Sequence, residues 1–147
     1  MERWRENLLS DEDAVAALVR SMRRVVVLGI KTEAQAGQPA FDVPAYLARA
    51  GLEVVPVPVY YPDVTTILGQ PVFRRVADVP GVIDVVDVFR RSSDVPAHLD
   101  DLLAAKPRAV WMQSGIRHAE VAEQLARAGI QVVQDRCLMV DHASYVL

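Results

Sequence analysis

VVVLGIKTEAQAGQPAFDVPAYLARAG, residues 25–51, is the stretch on which the fold turns. Val25 to Leu28 is apolar at every position. That is the pattern of a parallel strand covered by helices on both faces, not of a strand with one wet side. Gly29 ends the run where the backbone must turn sharply or come close to a ligand. Val43, Leu47 and Ala50 then recur at helical spacing, and Gly51 stops that helix. Strand, glycine loop and helix form the opening unit of an α/β fold whose loop amides can hold a phosphate. The dinucleotide fingerprint G-x-G-x-x-G is missing, because the next glycine is Gly37.

The same alternation continues on either side. Ser10 followed by Asp13 resembles a capping box, and Val15, Leu18, Val19 and Met22 predict a leading helix over 11–23. Glu53 to Val59 reads as a second strand, ended by Pro56, Pro58 and the turn Tyr60–Tyr61–Pro62. The 67–81 segment is mixed, with a short strand expected around Val72 and a turn of helix. IDVVDVF (83–89) is a third strand, and Ser93 or Asp94 can cap a helix running to Ala105, with Pro96 in its first turn. AVWMQSG (109–115) is a fourth strand, 118–128 a helix closed by Gly129, and 130–134 a fifth strand. Strands and helices alternating at this pitch predict an α/β fold: a single Rossmann-like, doubly wound parallel sheet of about five strands with helices on both faces, filling 1–147 as one domain.

Composition narrows the function classes. The 147 residues are enough for one domain with a real core, and 52% apolar with 24% charged residues marks a globular chain. A net charge of −3 gives no electrostatic argument for nucleic acid or an anionic membrane surface. No apolar run approaches the ~20 residues of a membrane span. The segment MERWRENLLSDED has no apolar core of a signal peptide. Cys137 is the lone cysteine, which excludes an internal disulfide and fits a reducing, cytoplasmic setting.

In doubly wound sheets ligands bind beyond the C-terminal ends of the strands, where strand order reverses. That rule selects Gly29 to Ala40, Pro58 to Pro62, Arg90 to Ser93, Gln113 to Arg117 and Asp135 to Cys137. A nicotinamide site would place a carboxylate at the end of the second strand to grip the ribose. Val57, Pro58, Val59 and Tyr60 stand there instead. The first loop is longer than the nicotinamide type and carries Lys31, and the ATP-type loop G-x-x-x-x-G-K-[ST] is absent as well. Arg90 and Arg91 follow a buried strand and precede a helix start. They either reach a polyanion at the sheet edge or form solvated ion pairs of little consequence. Gln113, Ser114 and Gly115 offer an amide, a hydroxyl and open backbone for hydrogen bonding, or simply make the turn. Asp135 and Arg136 read as a mutual pair or a turn cap, and Cys137 as a small hydrophobe or a reactive thiol. His98, His118 and His142 are scattered and give no metal-ligand spacing. Ser114 does not match G-x-S-x-G, and no nucleophile has an evident base.

VVVLG, QPAFDVPAYLARAGLEVVPV, ILGQPVF, VDVFRR, VWMQSGIRHAE and VVQDRCLMVDH occur in this order over residues 24–142. Together they resemble the small stand-alone CoA-binding proteins, whose domain is similar to the CoA-binding domain of the succinyl-CoA synthetase α subunit. The resemblance implies coenzyme A as the ligand. It implies that the loop Gly29, Ile30, Lys31, Thr32 through Gln38, Pro39 and Ala40 surrounds the pyrophosphate, the last three matching an R-P-S segment. Pro58, Val59 and Tyr60 match an N-P-x segment where adenosine would lie, Arg90 and Arg91 an F-R segment, and Gln113 to Gly115 a Q-x-G segment. Gln38 stands in place of a frequent arginine, Pro58 of asparagine and Val59 of proline, with Lys31 or Arg91 as the compensating basic group.

The function expected is non-catalytic binding of CoA or an acyl-CoA at the C-terminal edge of the sheet. The phosphohistidine chemistry of the synthetases uses a second domain and is not carried over. The alternatives are a partner-dependent subunit of an acyl-CoA ligase or transferase and, less favoured, an NAD(P)-binding protein. A homodimer or a synthetase-like partner chain is left open, as is the packing of Trp4 and the leading helix. A mixed disulfide of Cys137 with CoA is a further extension.

Overall fold

The computed structural model describes residues 2–146. A 3-10 turn, Arg3–Asn7, leads to α1 (Glu12–Ser21), β1 (Arg24–Leu28), α2 (Pro39–Arg49) and β2 (Glu53–Val57). Two short strands follow, β3 (Thr66–Ile67) and β4 (Gln70–Pro71), and then β5 (Val85–Val88), α3 (Leu99–Ala105), β6 (Ala109–Met112), α4 (Ala119–Arg127), β7 (Gln131–Val133) and α5 (Leu138–Val146). The large sheet has the order β2-β1-β5-β6-β7 and every pairing in it is parallel. Counting only its own strands the order is 2-1-3-4-5, one of the two common doubly wound orders. The chain leaves β1 toward β2 and later returns to the other side of β1 as β5. The switch point is therefore the crevice between the C-terminal ends of β1 and β5.

The apolar strand runs are explained by cover on both faces. Val26, Leu28, Val86, Val88, Val110 and Met112 share one core with Leu102 of α3 and with Val121 and Leu125 of α4. Val25, Val27, Val85 and Trp111 share the other with Val15 and Val19 of α1, Val43 and Leu47 of α2, and Leu138 of α5. Trp111 is fully buried, and its indole N–H donates to the carbonyl of Arg136 at 2.7 Å, so its polar atom is not wasted. Pro56 is tolerated inside β2 because β2 is an edge strand. At the opposite edge Leu8 bridges to Val132 and the N–H of Leu9 donates to the carbonyl of Val132. The leading segment thus packs on its own sheet. Trp4 is half-buried, with the guanidinium groups of Arg5 and Arg127 at 4.4 and 4.5 Å from its ring.

Several local expectations are corrected. Asp11, not Ser10, caps α1, its carboxylate accepting the N–H of Ala14. In the 67–81 region the ladder is a tight hairpin, Thr66–Ile67 against Gln70–Pro71, and not a strand around Val72. A 3-10 turn at Val76–Asp78 follows it. The helix expected from Ser93 is a 3-10 helix over Ser92–His98 that becomes α-helical only at Leu99. Finally, α5 forms in a stretch where the sequence pattern predicts no helix. It is docked by Leu138, by buried Asp141 and His142, and by Arg136, which pairs with Glu12 of α1 and Asp141 of α5.

Asp87 lies in the middle of β5, in register with Val27 and Trp111. It is fully buried, and neither carboxylate oxygen has a partner among the described residues. Burial holds its carboxyl well above the usual carboxylate range.

Candidate functional site

The site begins with Gly29, whose φ of +86° is open to glycine at no steric cost. Its N–H donates to Val57, and the adjacent β1–β5 ladder continues with the N–H of Phe89 donating to Leu28. From there the chain runs through Lys31 to a small turn, Glu33–Gln35. Thr32 caps that turn by accepting from the N–H of Ala34, while the side chain of Gln35 accepts from Thr32. α2 then starts at Pro39, where a missing N–H costs nothing. Pro44 lies inside the helix and leaves the carbonyl of Ala40 without its usual i+4 donor. The backbone N–H of Lys31 takes that place at 3.1 Å, which ties the glycine loop to the helix. The ammonium of Lys31 also donates to the side-chain oxygen of Gln38.

Two hollows meet at the switch point. The larger, about 500 Å³, is lined by Lys31, Gln38, Pro39, Ala40, Phe89, Arg90, Arg91, Gln113, Ser114, Gly115, Ile116 and Cys137. The smaller, about 220 Å³, is lined by Gly29, Ile30, Lys31, Val59, Tyr60, Tyr61, Phe89, Arg90 and Arg91. Lys31, Phe89, Arg90 and Arg91 border both, so three cations stand between two adjoining cavities. Of the residues carried by the resemblance, all but Thr32 and Pro58 line these two hollows; Thr32 is buried in its capping role, and Pro58 is buried as well. The strand-end rule reached further than the cleft: residues 33–37, Pro62, Ser92 and Ser93 line neither hollow, and Arg117, Asp135 and Arg136 line a separate one.

The two arginines differ in how they are held. The side chain of Arg90 is 15% exposed and that of Arg91 is 84% exposed. Arg90 donates from Nε to Nε2 of His98 at 3.2 Å and from Nη1 to the Tyr60 hydroxyl at 3.4 Å. Its Nη2 is 3.7 Å from the carboxylate of Asp94, and its guanidinium stands 5.5 Å from the centre of the Tyr60 ring. Among the described residues Arg91 has one contact of this kind, to Asp94 at 3.1 Å. Burial, followed by the charge of Arg90, pulls the His98 imidazole below the ordinary histidine range. His98 is therefore a neutral acceptor at neutral pH. Phe89 and His98 are the site residues that the strand-end rule passed over. Nothing in the spacing signals His98, because a 3-10 helix has to carry it back beside Arg90.

On the far wall Gln113 is 4% exposed. Its side-chain oxygen accepts the N–H of Leu138 at 2.9 Å, holding the first turn of α5. The same side chain borders the cleft. Cys137 is half-buried and caps the same helix, its carbonyl accepting from Asp141. Asp135 does not pair with Arg136. It accepts the N–H of Gly115 at 2.6 Å and lies 3.4 Å from Arg117, and the Gly115 bond is the main cause holding its carboxyl below the usual range. The other histidines are engaged elsewhere: His118 caps α4, and His142 meets the hydroxyl of Tyr46 at 2.9 Å. No cluster of three or more metal-ligating side chains exists among the described residues, and no helix there is long and apolar enough to cross a membrane.

Fold and cleft define a doubly wound protein with cationic side chains at its switch point. The chain belongs to the CoA binding domain family, whose model matches residues 23–143. It is similar to the uncharacterized protein YneT of Bacillus subtilis, with 27% identity over 88% of this chain and 92% of that one. A Thermus thermophilus protein, cell-free ID.343, has a solved structure that superposes with a TM-score of 0.83. It shares 36% identity over 92% of this chain and 99% of its own. The same fold recurs, at a TM-score of 0.63 and 19% identity, in the dinucleotide forming acetyl-coenzyme A synthetase 1 of Ca. Korarchaeum cryptofilum. That match covers 80% of this chain and 27% of the synthetase.

Proposed function

We propose that this chain binds coenzyme A or an acyl-CoA at the C-terminal edge of its sheet, without catalysing a reaction of its own. The observation that carries the reading is the pair of adjoining hollows at the switch point with Lys31, Arg90 and Arg91 between them. CoA is a long ligand with a polyanionic nucleotide end and a thin amide arm. The cations suit its phosphates, with arginine offering paired donors. Pro39, Ala40, Phe89 and Ile116 supply apolar wall for the arm, and the side-chain amide of Gln113, which lines the same hollow, is a hydrogen-bonding group of the kind the arm needs. The reading is non-catalytic because Ser114 and Cys137, the hydroxyl and thiol of the cleft, make no side-chain hydrogen bond to a base among the described residues.

Isothermal titration with CoA, ADP and NADH tests this. CoA binding at least tenfold tighter than either other ligand is expected, and equal affinities for the three would overturn it.

A second reading makes the chain a subunit of an acyl-CoA ligase or transferase that needs a partner chain. Its support is the synthetase whose fold this chain shares over about a quarter of that protein's length. Co-purification of an ATP-using partner, with turnover only in the complex, is the result that would replace the first reading by this one.

A further inference from the structure

We propose that His98 is the positioning residue that holds the Arg90 guanidinium at the cleft, and that protonating its imidazole releases Arg90 and weakens binding of the anionic ligand. The inference rests on the CoA reading above and adds a regulation to that site.

The argument starts from where Arg90 stands. It borders both hollows, and its side chain runs past Gly29, where a Cβ would lie 3.2 Å from the Arg90 Cδ. A guanidinium at that place acts on an anion only if its direction is fixed, because an arginine loses much rotamer freedom on being ordered. Of its polar contacts, the one to His98 is the shortest, at 3.2 Å. The Tyr60 hydroxyl at 3.4 Å and Asp94 at 3.7 Å are weaker tethers. Asp94 is shared, since Arg91 also reaches it. His98 itself is half-buried at the end of the Ser92–His98 helix, where Leu99 begins α3.

Nε2 of His98 accepts from Arg90, so it carries a lone pair and the ring proton is on Nδ1. Protonation puts a second N–H against the Arg90 N–H and a second positive charge beside the first. The contact then changes from a hydrogen bond to a repulsion. The charged groups acting on His98 are Arg90, Asp94 and Asp101. The two carboxylates favour the protonated ring, but both have other work. Asp101 accepts the N–H groups of Val76 and Ala77, and Asp94 meets both arginines. Burial and Arg90 outweigh them, which holds the imidazole below the ordinary histidine range.

The test is isothermal titration of the full chain and its His98→Gln and His98→Phe variants, from about pH 8 down to about pH 5. CoA and dephospho-CoA are both used, because the 3′-phosphate of CoA itself titrates near pH 6 whereas the pyrophosphate does not. For dephospho-CoA, wild-type affinity is expected to fall about tenfold across that range. H98F should be about tenfold weaker than wild type at the alkaline end. H98Q, whose side-chain oxygen can accept from Arg90 but cannot be protonated, should recover most of that loss and stay flat with pH. A merely structural histidine would not produce that flattening. Parallel pH profiles for wild type and H98Q, or H98F binding as wild type does at pH 8, would overturn the inference and leave the CoA reading standing. No binding of either ligand by wild type at pH 8 would overturn both.

Discussion

A Cβ added to Gly29 would lie 2.3 Å from the carbonyl oxygen of Phe89. The two strands that flank the switch point therefore approach as closely as they do only because position 29 has no side chain. Gly29→Ala should force β1 and β5 apart at their C-terminal ends and lower stability by about 2 kcal/mol or more. Gly37, at φ +101° but with nothing within 4 Å of a Cβ, is the control. Its alanine variant should cost about 1–2 kcal/mol for backbone strain alone. Urea midpoints compare them, and equal losses would mean that the Phe89 contact is not what Gly29 serves.

Asp87 makes stability depend on pH in an unusual direction. Its folded-state carboxyl is raised by burial, while in the unfolded chain it titrates near 3.9. Between those values the folded protein keeps a proton that the unfolded chain gives up. Stability from this group is thus greatest in acid and declines as pH rises above about 4. Asp87→Asn removes the titration but leaves a polar group in place. The variant should gain stability relative to wild type as pH is raised from about 5 to about 8, by more than about 1 kcal/mol. Denaturation curves at both pH values with a constant difference would contradict this.

Gln113 joins the cleft to α5. Gln113→Leu deprives the N–H of Leu138 of its acceptor in a buried setting, so a loss of about 1–3 kcal/mol is expected. Amide exchange at Leu138 should accelerate as well. Unchanged exchange there would show that the first turn of α5 is held by other contacts.

Arg90 and Arg91 should not be equivalent. Removing the fixed one, Arg90→Ala, should weaken CoA about tenfold to a hundredfold, the range of a charge-assisted hydrogen bond. Arg91→Ala should cost less, and its effect should shrink as salt is added, because its side chain is exposed and screened. The comparison is made by titration at low and high ionic strength. A larger, salt-insensitive loss at Arg91 would reverse the assignment.

The parts of this molecule that were legible in the sequence are those with a single cause. Val25–Leu28 and Ala109–Met112 are apolar at every position because both faces are covered, and that alone marks a parallel sheet. The strand-end rule then found most of the cleft, because the fold places loop residues there whatever their type. Other features depend on contacts far apart in sequence. α5 buries Asp141 and His142 as well as Leu138, so its apolar stripe is broken, and its docking rests on Arg136 reaching Glu12 across 124 positions. The Arg90–His98 contact needs a 3-10 helix where the caps suggested an α-helix. Asp87 sits within an apolar strand and gives no sign, before the fold is known, that its carboxylate has no partner.

The most direct test of the account is to map CoA on the protein by amide chemical shifts. Titration should move the signals of Gly29 to Ala40, Arg90, Arg91 and Gln113 to Gly115 together, with one saturation curve. A separate hollow, away from the two at the switch point, is lined by Leu8, Leu9, Ser10, Arg117, Val132, Gln134, Asp135 and Arg136. Shifts confined to those residues, or no saturable shifts at the switch point, would contradict the claim that the β1–β5 crevice is the binding site.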